Sequence, residues 1–267
     1  MATVGTESDT SEATMAGGTW KRDDVAAGYL SERSHFIPDR PRQLEVLVRV
    51  VRSSDRPPSR ILDLGAGDGV LLECFLEAFP EATGVAVDFS PVMVEKARER
   101  LSKFGPRVTV AAADLGSPDW LRGVEPPFDA VVSGLAIHHL TDDRKRSLYR
   151  EIFGLLRPGG TFLNCEHVAS RGPWGQGMYD DAVSEQLWRR RQEQGEAVSF
   201  EEVRTEYVSR PDRADNILAL VEDQCDWLRD IGFRDVDCFW KYFELAIFGG
   251  RRPSKGHRVA TLSDVDK

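Results

Sequence analysis

Long apolar runs are missing from this sequence of 267 residues. No stretch reaches the ~18 consecutive apolar residues of a membrane span, and the N-terminus lacks the basic stub and apolar run of a signal peptide. The 44 acidic and 35 basic side chains give a net charge of −9, which argues against a broadly basic surface for polyanions. We therefore expect a cytoplasmic protein without membrane partners, for which nucleic acid is an unlikely ligand.

Closely spaced cysteines are also absent. The four cysteines, at positions 74, 165, 225 and 238, lie far apart and form none of the close pairs of zinc ribbons or redox motifs. They are predicted to be reduced thiols, buried or half-buried as small apolar side chains. The pattern predicts no metal centre.

Large apolar residues are rare at both ends of the chain. Residues 1–18 are small and acidic and cannot bury enough surface to offset the entropy of ordering, so they are predicted to be a disordered tail. Residues 251–267 are polar without a clear period and are predicted to be a C-terminal tail. A single domain is expected over residues 19–250.

Between these tails, short β-branched runs alternate with amphipathic helical patterns. The predicted strands are 61–64, 84–87, 107–112, 128–132 and 160–165, and the predicted helices are 70–79, 90–103 and 141–156. Such alternation favours parallel strands joined by right-handed helical crossovers. The fold class is therefore predicted as doubly wound α/β, with a mostly parallel sheet of seven strands.

The rhythm changes after the fifth strand. Residues 174–194 and 200–208 have helical patterns outside any β unit, which predicts a helical cap inserted over about 168–214. A helix over 216–231 follows. Two last strands, 233–239 and 242–248, are expected to pair antiparallel through a turn near Trp240 and Lys241.

The most informative segment is ILDLGAGDG at 61–69, a strand that enters a glycine turn and opens a helix. Glycine at 65, 67 and 69 lets the backbone approach a ligand at the carboxyl end of the strand. The dinucleotide fingerprint requires a further glycine where Val70 stands, so the match to a nicotinamide-dependent oxidoreductase is poor.

Two acidic residues follow the next two strands. Asp88 comes directly after the second strand, where its two oxygens can accept from both hydroxyls of a ribose. Asp114 follows the third strand, where it can accept from an exocyclic amine such as that of adenine. Together with the glycine turn, they predict a nucleoside-containing ligand.

Residues 61–160 resemble the class I S-adenosylmethionine-dependent methyltransferases, most closely the quinone and natural-product branch. The resemblance rests on the glycine turn, the two acids, FDAVVS at 128–133 and LRPGG at 156–160, in that order. It implies S-adenosylmethionine as cofactor and methyl transfer to an O, N or C nucleophile of a small molecule. The implied cofactor-binding residues are Asp63, Gly65, Ala66, Gly67, Asp88, Phe89, Asp114, Leu115 and Ser133.

Histidines cluster after the fourth and fifth predicted strands. His138 or His139 is a candidate general base, oriented by Glu166, because a neutral imidazole accepts protons near pH 7. The alternative is that one histidine packs against the next helix and the other shapes the cofactor pocket. A metal site with His167 is conceivable by ligand type, although the spacing matches no recognised pattern.

Other segments supply candidates for the two ligands. Arg33 or Arg40 can meet the cofactor's carboxylate through a bidentate guanidinium. The cap is the expected place for the acceptor pocket. Its candidate lining residues are Trp174, Met178, Tyr179, Trp188 and Phe200.

Two other functions remain open at this point. One is a methyltransferase that modifies the wobble uridine of tRNA, because some such enzymes share a similar histidine loop; the acidic charge balance argues against it. The other is a module that binds the cofactor without turnover. The acceptor, the methylated atom and the oligomeric state are not determined by the sequence, which is compatible with a homodimer.

Overall fold

The computed structural model describes residues 37–254. The predicted N-terminal tail and Arg33 lie outside the described residues, as do residues 255–267. The predicted boundary at 251 is wrong, because Arg251 ends the last strand. Pairing continues one residue further: Gly159 N donates to Arg252 O at 2.7 Å, and Arg252 N donates to Gly160 O at 2.8 Å.

Seven strands form one sheet that helices flank. The strands are β1 (Arg60–Leu64), β2 (Thr83–Asp88), β3 (Val108–Ala112), β4 (Phe128–Gly134), β5 (Leu156–His167), β6 (Arg234–Tyr242) and β7 (Leu245–Arg251). The helices are α1 (Arg40–Arg52), α2 (Val70–Ala78), α3 (Pro91–Leu101), α4 (Asp142–Leu155), α5 (Pro173–Glu193), α6 (Phe200–Val208) and α7 (Val221–Ile231). No helix of residues 37–254 is long and apolar enough to cross a membrane.

The strand order is β3-β2-β1-β4-β5-β7-β6, and the first five strands pair in parallel. Strand β7 pairs antiparallel with both β5 and β6. The predicted doubly wound, mostly parallel sheet of seven strands is confirmed. Its order reverses beside β1, so the carboxyl ends of β1, β2 and β4 border the crevice where such sheets bind ligands.

Apolar side chains bury both faces of the sheet. One cluster joins Leu62 and Phe162 to Leu148 of α4, and the other joins Ile61 and Leu163 to Phe75 of α2. The helices begin at polar caps that the sequence shows, such as Thr141, whose Oγ1 accepts from Arg144 N at 3.3 Å. These two clusters stabilise the sheet, so the loops at the strand ends are not needed for the core and can form a binding site.

Helices α5 and α6 lie between β5 and α7 and form the cap, with a short 3-10 helix at Pro211–Asp215. Arg213 donates from Nη1 and Nη2 to the two carboxylate oxygens of Asp180, each at 2.9 Å. Helix α7 starts at Val221 rather than 216, because the chain before it binds the loop after β4: Ile217 N donates to His138 O at 2.8 Å.

The hairpin between β6 and β7 turns at Phe243 and Glu244, not near Trp240 and Lys241 as predicted. Phe243 adopts a φ of 48°, which reverses the chain, and Glu244 is then buried against the end of β5. Its carbonyl accepts from Val168 N at 2.7 Å. The turn therefore lies two to three residues later in the chain than predicted.

Candidate functional site

The glycine turn follows β1 and has the backbone that its sequence demands. Gly65, Gly67 and Gly69 have φ angles of 63°, 56° and 84°, which side chains other than glycine rarely adopt. A Cβ on Gly65 would collide with that of Ala136, whereas a Cβ on Gly67 would have no heavy atom within 4 Å. The turn therefore packs tightly against the loop after β4 and leaves Gly67 facing open space.

Asp88 at the end of β2 holds this turn. Its Oδ2 accepts from Gly67 N at 2.8 Å and its Oδ1 accepts from Ser90 N at 2.9 Å. Burial raises the pKa of this carboxyl, and the backbone hydrogen bonds oppose that rise. Each oxygen has a second lone pair, so the same carboxylate can still accept from a ligand.

Asp63 lies in β1 beneath the turn and is fully buried. Its Oδ2 accepts from Leu72 N at 3.2 Å, while Oδ1 has no hydrogen-bond partner among the described residues. Burial raises the pKa of Asp63 to about 7, and the nearby positive charge of Arg40 acts in the opposite direction. A buried acceptor without a hydrogen bond costs free energy, so Asp63 Oδ1 is a candidate acceptor for a donor on a ligand or for water.

The loop after β3 places Asp114 and Leu115. Asp114 is half-buried, and its Oδ1 accepts from Gly116 N at 2.8 Å. The Leu115 carbonyl accepts from Nε of Arg144 at 2.7 Å, and that guanidinium also makes two hydrogen bonds to Glu151, at 2.8 and 2.7 Å. Helix α4 therefore holds the loop in place.

The remaining predicted cofactor residues have different surroundings. Ala66 is buried, and its N donates to Val87 O at 3.0 Å, which ties the turn to β2. Phe89 is half-buried just after Asp88. The hydroxyl of Ser133 donates to Leu64 O at 2.7 Å between β4 and β1, so this side chain serves the sheet.

His138 and Glu166 form a buried pair at the ends of β4 and β5. Nδ1 of His138 donates to Oε1 of Glu166 at 2.5 Å, and His138 N donates to Oε2 at 3.0 Å. Burial lowers the pKa of His138 well below its usual 6.5 and raises that of Glu166, against a hydrogen bond from His167 N. The imidazole is therefore neutral near pH 7, with Nε2 left as a proton acceptor.

His139 and His167 lie on either side of this pair. Nδ1 of His139 donates to Asp215 O at 3.2 Å, and burial, together with neighbouring His138, lowers its pKa to about 3. Nε2 of His167 donates to Oε2 of Glu244 at 3.0 Å. Among residues 37–254, no group of three or more histidine, cysteine or acidic side chains is arranged to hold a metal ion.

The three histidines border a cavity of about 600 Å³ between the sheet and the cap. Tyr179 and Tyr207 line it from the cap, and Leu135 lines it from the loop after β4. This loop also contains Ala136, against which the glycine turn packs. One loop thus separates the cavity from the turn, so ligands in the two places would be neighbours.

The arrangement matches a known family. A family model for a methyltransferase domain matches residues 61–160, the segment that carries the glycine turn, both acids and the histidine loop. Residues 61–160 form a class I S-adenosylmethionine-dependent methyltransferase domain. The resemblance stated from the motifs is confirmed.

Two relatives of this domain are named for small molecules. A trans-aconitate 2-methyltransferase of Methylobacterium radiotolerans is 32% identical over 170 residues, covering 58% of this chain and 60% of that protein. A mouse acetylserotonin O-methyltransferase is 33% identical over 132 residues, covering 48% of this chain and 33% of that protein. The chain thus spans about a third to 60% of the length of these two relatives.

Solved structures share the fold of the methyltransferase domain. Human N-acetylserotonin methyltransferase, solved in complex with S-adenosylmethionine, gives a TM-score of 0.60 at 16% identity. The alignment covers 91% of this chain and 60% of that one. The structure of PigF with S-adenosylhomocysteine gives a TM-score of 0.57 at 18% identity. That alignment covers 87% of this chain and 60% of PigF. These identities support the fold alone.

The structure corrects the predicted acceptor pocket. Of the five candidate residues in the cap, Tyr179 lines the cavity, but Trp174 is 80% exposed. Trp188 donates to Val198 O at 3.0 Å and packs against Phe200, with ring centroids 6.4 Å apart. The helical pattern alone did not show which side of α5 faces the sheet.

Glu244 is a site residue that sequence reasoning missed. It lies about 80 residues after His167 in an unremarkable turn, and nothing in its neighbourhood marks it as functional. The sequence offers one signal for it. Had the turn of the last hairpin been predicted at its observed position, Glu244 would have been placed just before β7, beside the end of β5.

Proposed function

We propose that this chain transfers a methyl group from S-adenosylmethionine to an oxygen, nitrogen or carbon nucleophile of a small molecule bound in the cavity. The observation that carries the proposal is the loop after β4, which contacts the glycine turn through Ala136 and lines the cavity through Leu135, His138 and His139. A cofactor on one side of this loop and an acceptor on the other would be within reach of each other.

The residues at the glycine turn fit this cofactor. The open space at Gly67 admits a ligand close to the backbone, and the unused lone pairs of Asp88 suit the ribose hydroxyls. Asp63 Oδ1 is a buried acceptor for the ammonium or its water, and Arg40 is the candidate partner of the carboxylate. Asp114 and the Leu115 backbone are assigned to the adenine.

When bound, S-adenosylmethionine supplies an electrophilic methyl group on a positively charged sulfur. The protein then has to align the acceptor, exclude water and remove a proton where the nucleophile carries one. Glu166 fixes the ring of His138 through Nδ1, and Nε2 is the atom proposed to take the proton. Glu166 itself is buried and acts through the histidine.

The proposed base, His138, limits the chemical class of the methyl acceptor. One relative is named for trans-aconitate, a carboxylic acid already ionised near pH 7, and the other for acetylserotonin. A neutral imidazole held by a carboxylate is useful only when the nucleophile must lose a proton. We therefore favour a protic acceptor, such as a hydroxyl compound, over a carboxylate.

Incubation with methyl-labelled S-adenosylmethionine tests the proposal. The chain is mixed with trans-aconitate, with N-acetylserotonin or with a metabolite extract, and S-adenosylhomocysteine and labelled products are measured by mass spectrometry. We expect S-adenosylhomocysteine to accumulate with a hydroxyl acceptor. Tight cofactor binding with no turnover in any mixture would instead identify a noncatalytic module, and binding of nicotinamide dinucleotide alone would overturn the proposal.

A further inference from the structure

His167, which lines the cavity, belongs to a second histidine–carboxylate pair that the proposed methyl transfer does not use. Nε2 of His167 donates to Oε2 of Glu244 at 3.0 Å, and Glu244 is only 2% exposed. Burial tends to raise the pKa of Glu244, but hydrogen bonds from His167 and Ser170 prevail and the pKa is lowered. The carboxylate is therefore ionised, and the Nδ1 side of the His167 ring remains for another partner.

Holding the hairpin does not require this pair. The Glu244 carbonyl already accepts from Val168 N, which ties the turn to the chain after β5, and Leu245 pairs with His167 in the sheet register. Burying an ionised carboxylate costs free energy that an apolar residue would not. The pair therefore needs a reason beyond the fold, and His167 lines the cavity.

The two histidine pairs are close enough to bind one molecule. Glu166 and His167 are consecutive in β5, and the ring centroids of His138 and His167 lie 5.8 Å apart at 68°. Nε2 of His138 and Nδ1 of His167 are acceptors, and two hydroxyls on neighbouring atoms of a ligand could each donate to one of them over about 2.8 Å. The ring of Tyr179, 5.2 Å from that of His167, offers a flat apolar surface beside them.

We infer that His167, positioned by Glu244, binds a second oxygen of the acceptor next to the nucleophile. The inference rests on the proposed function and narrows the acceptor to flat molecules with two adjacent hydroxyls, such as an ortho-diol. In this arrangement His138 takes the proton of one oxygen, while His167 fixes the other and so orients the ring. His167 is then a specificity residue, and Glu244 acts through it.

A titration with two probes tests this inference. Catechol and phenol, which differ by one adjacent hydroxyl, are titrated into the protein by NMR, with and without S-adenosylhomocysteine. We expect catechol to bind about tenfold more tightly than phenol, as one added hydrogen bond to a fixed partner allows. The double variant His167→Phe with Glu244→Gln, which keeps a ring and removes the buried charge, should lower this ratio to about one.

Glu185→Gln is the matched control, because Glu185 is an exposed cap carboxylate paired with Arg189. It should keep the wild-type ratio. A wild-type ratio near one overturns the inference even if the double variant does not fold, and so does an unchanged ratio in a folded double variant. Failure to bind S-adenosylhomocysteine would instead count against the proposed function, since the probe ratio is also measured without it.

Discussion

The glycine turn and the cavity are neighbours, yet they are built in opposite ways. The turn is held by backbone donors, with Gly67 N and Ser90 N bound to Asp88 and Leu72 N bound to Asp63. All these groups lie within 28 residues of one another in the chain. In the cavity, hydrogen bonds between side chains hold the lining histidines. Glu166 lies 28 residues from His138, and Glu244 lies 77 residues from His167.

This difference separates two tasks. A backbone socket depends on chain shape, so it binds one cofactor and tolerates little change at Gly65, where a Cβ would collide with Ala136. A cavity built from side chains on the cap, β5 and the last hairpin can change its ligand by substitution without disturbing that shape. Substitutions at the glycine turn should therefore change cofactor binding and leave acceptor binding unchanged. Substitutions in the cavity should do the opposite.

The largest effect is expected from His138→Gln. Loss of the proposed general base should lower kcat by ~10²- to 10⁴-fold with a protic acceptor, while the dissociation constant for S-adenosylhomocysteine stays within about twofold. Because burial holds the pKa of His138 well below 6.5, the wild-type kcat should show no acidic fall around pH 6.5. Steady-state kinetics across pH and calorimetry measure both quantities.

His139→Gln is the control for this experiment, since Nδ1 of His139 donates to the Asp215 carbonyl. A similar loss of kcat in both variants would mean that the loop, rather than the His138 base, limits turnover. Cofactor affinity that falls in parallel with kcat would remove the proposed separation of the two regions.

Asp88→Ala tests the other side of the comparison and should have the next largest effect. It removes two charge-assisted hydrogen bonds to the proposed ribose and the acceptor for Gly67 N, so cofactor binding should weaken by ~2–4 kcal/mol. Calorimetry with S-adenosylhomocysteine measures the loss. Asp68→Asn, whose carboxylate pairs with Arg100, should bind normally. Unchanged affinity in Asp88→Ala would place the ribose elsewhere.

The same contrast explains how far the sequence could be interpreted. Strand and helix patterns predicted β1 to β5 and their helices within a few residues, because hydrophobic period, Thr141 and the glycines act locally. The pairing of His138 with Glu166 followed from two strand ends meeting at one edge of the sheet. Glu244 and the inward face of α5 depend on long-range packing, which a local pattern does not contain.

The smallest effect concerns the ionisation of Asp63 beneath the glycine turn. Burial raises its pKa from 3.8 to about 7, so between these values the folded protein binds a proton that the unfolded chain releases. Stability from this group is therefore present at low pH and is lost as pH rises through about 7. Between pH 6 and pH 8, the free energy of unfolding of the ligand-free protein should fall by ~1 kcal/mol from this source.

Asp63→Asn should remove that component, because the amide does not ionise. Urea unfolding at pH 6 and pH 8 compares the variant with the wild type, and Asp143→Asn, at a carboxylate that is 96% exposed, serves as the control that keeps the wild-type dependence. An identical pH dependence in wild type and Asp63→Asn would mean that the carboxyl stays ionised throughout. The positive charge of Arg40 and the hydrogen bond from Leu72 N would then outweigh the effect of burial on this carboxyl.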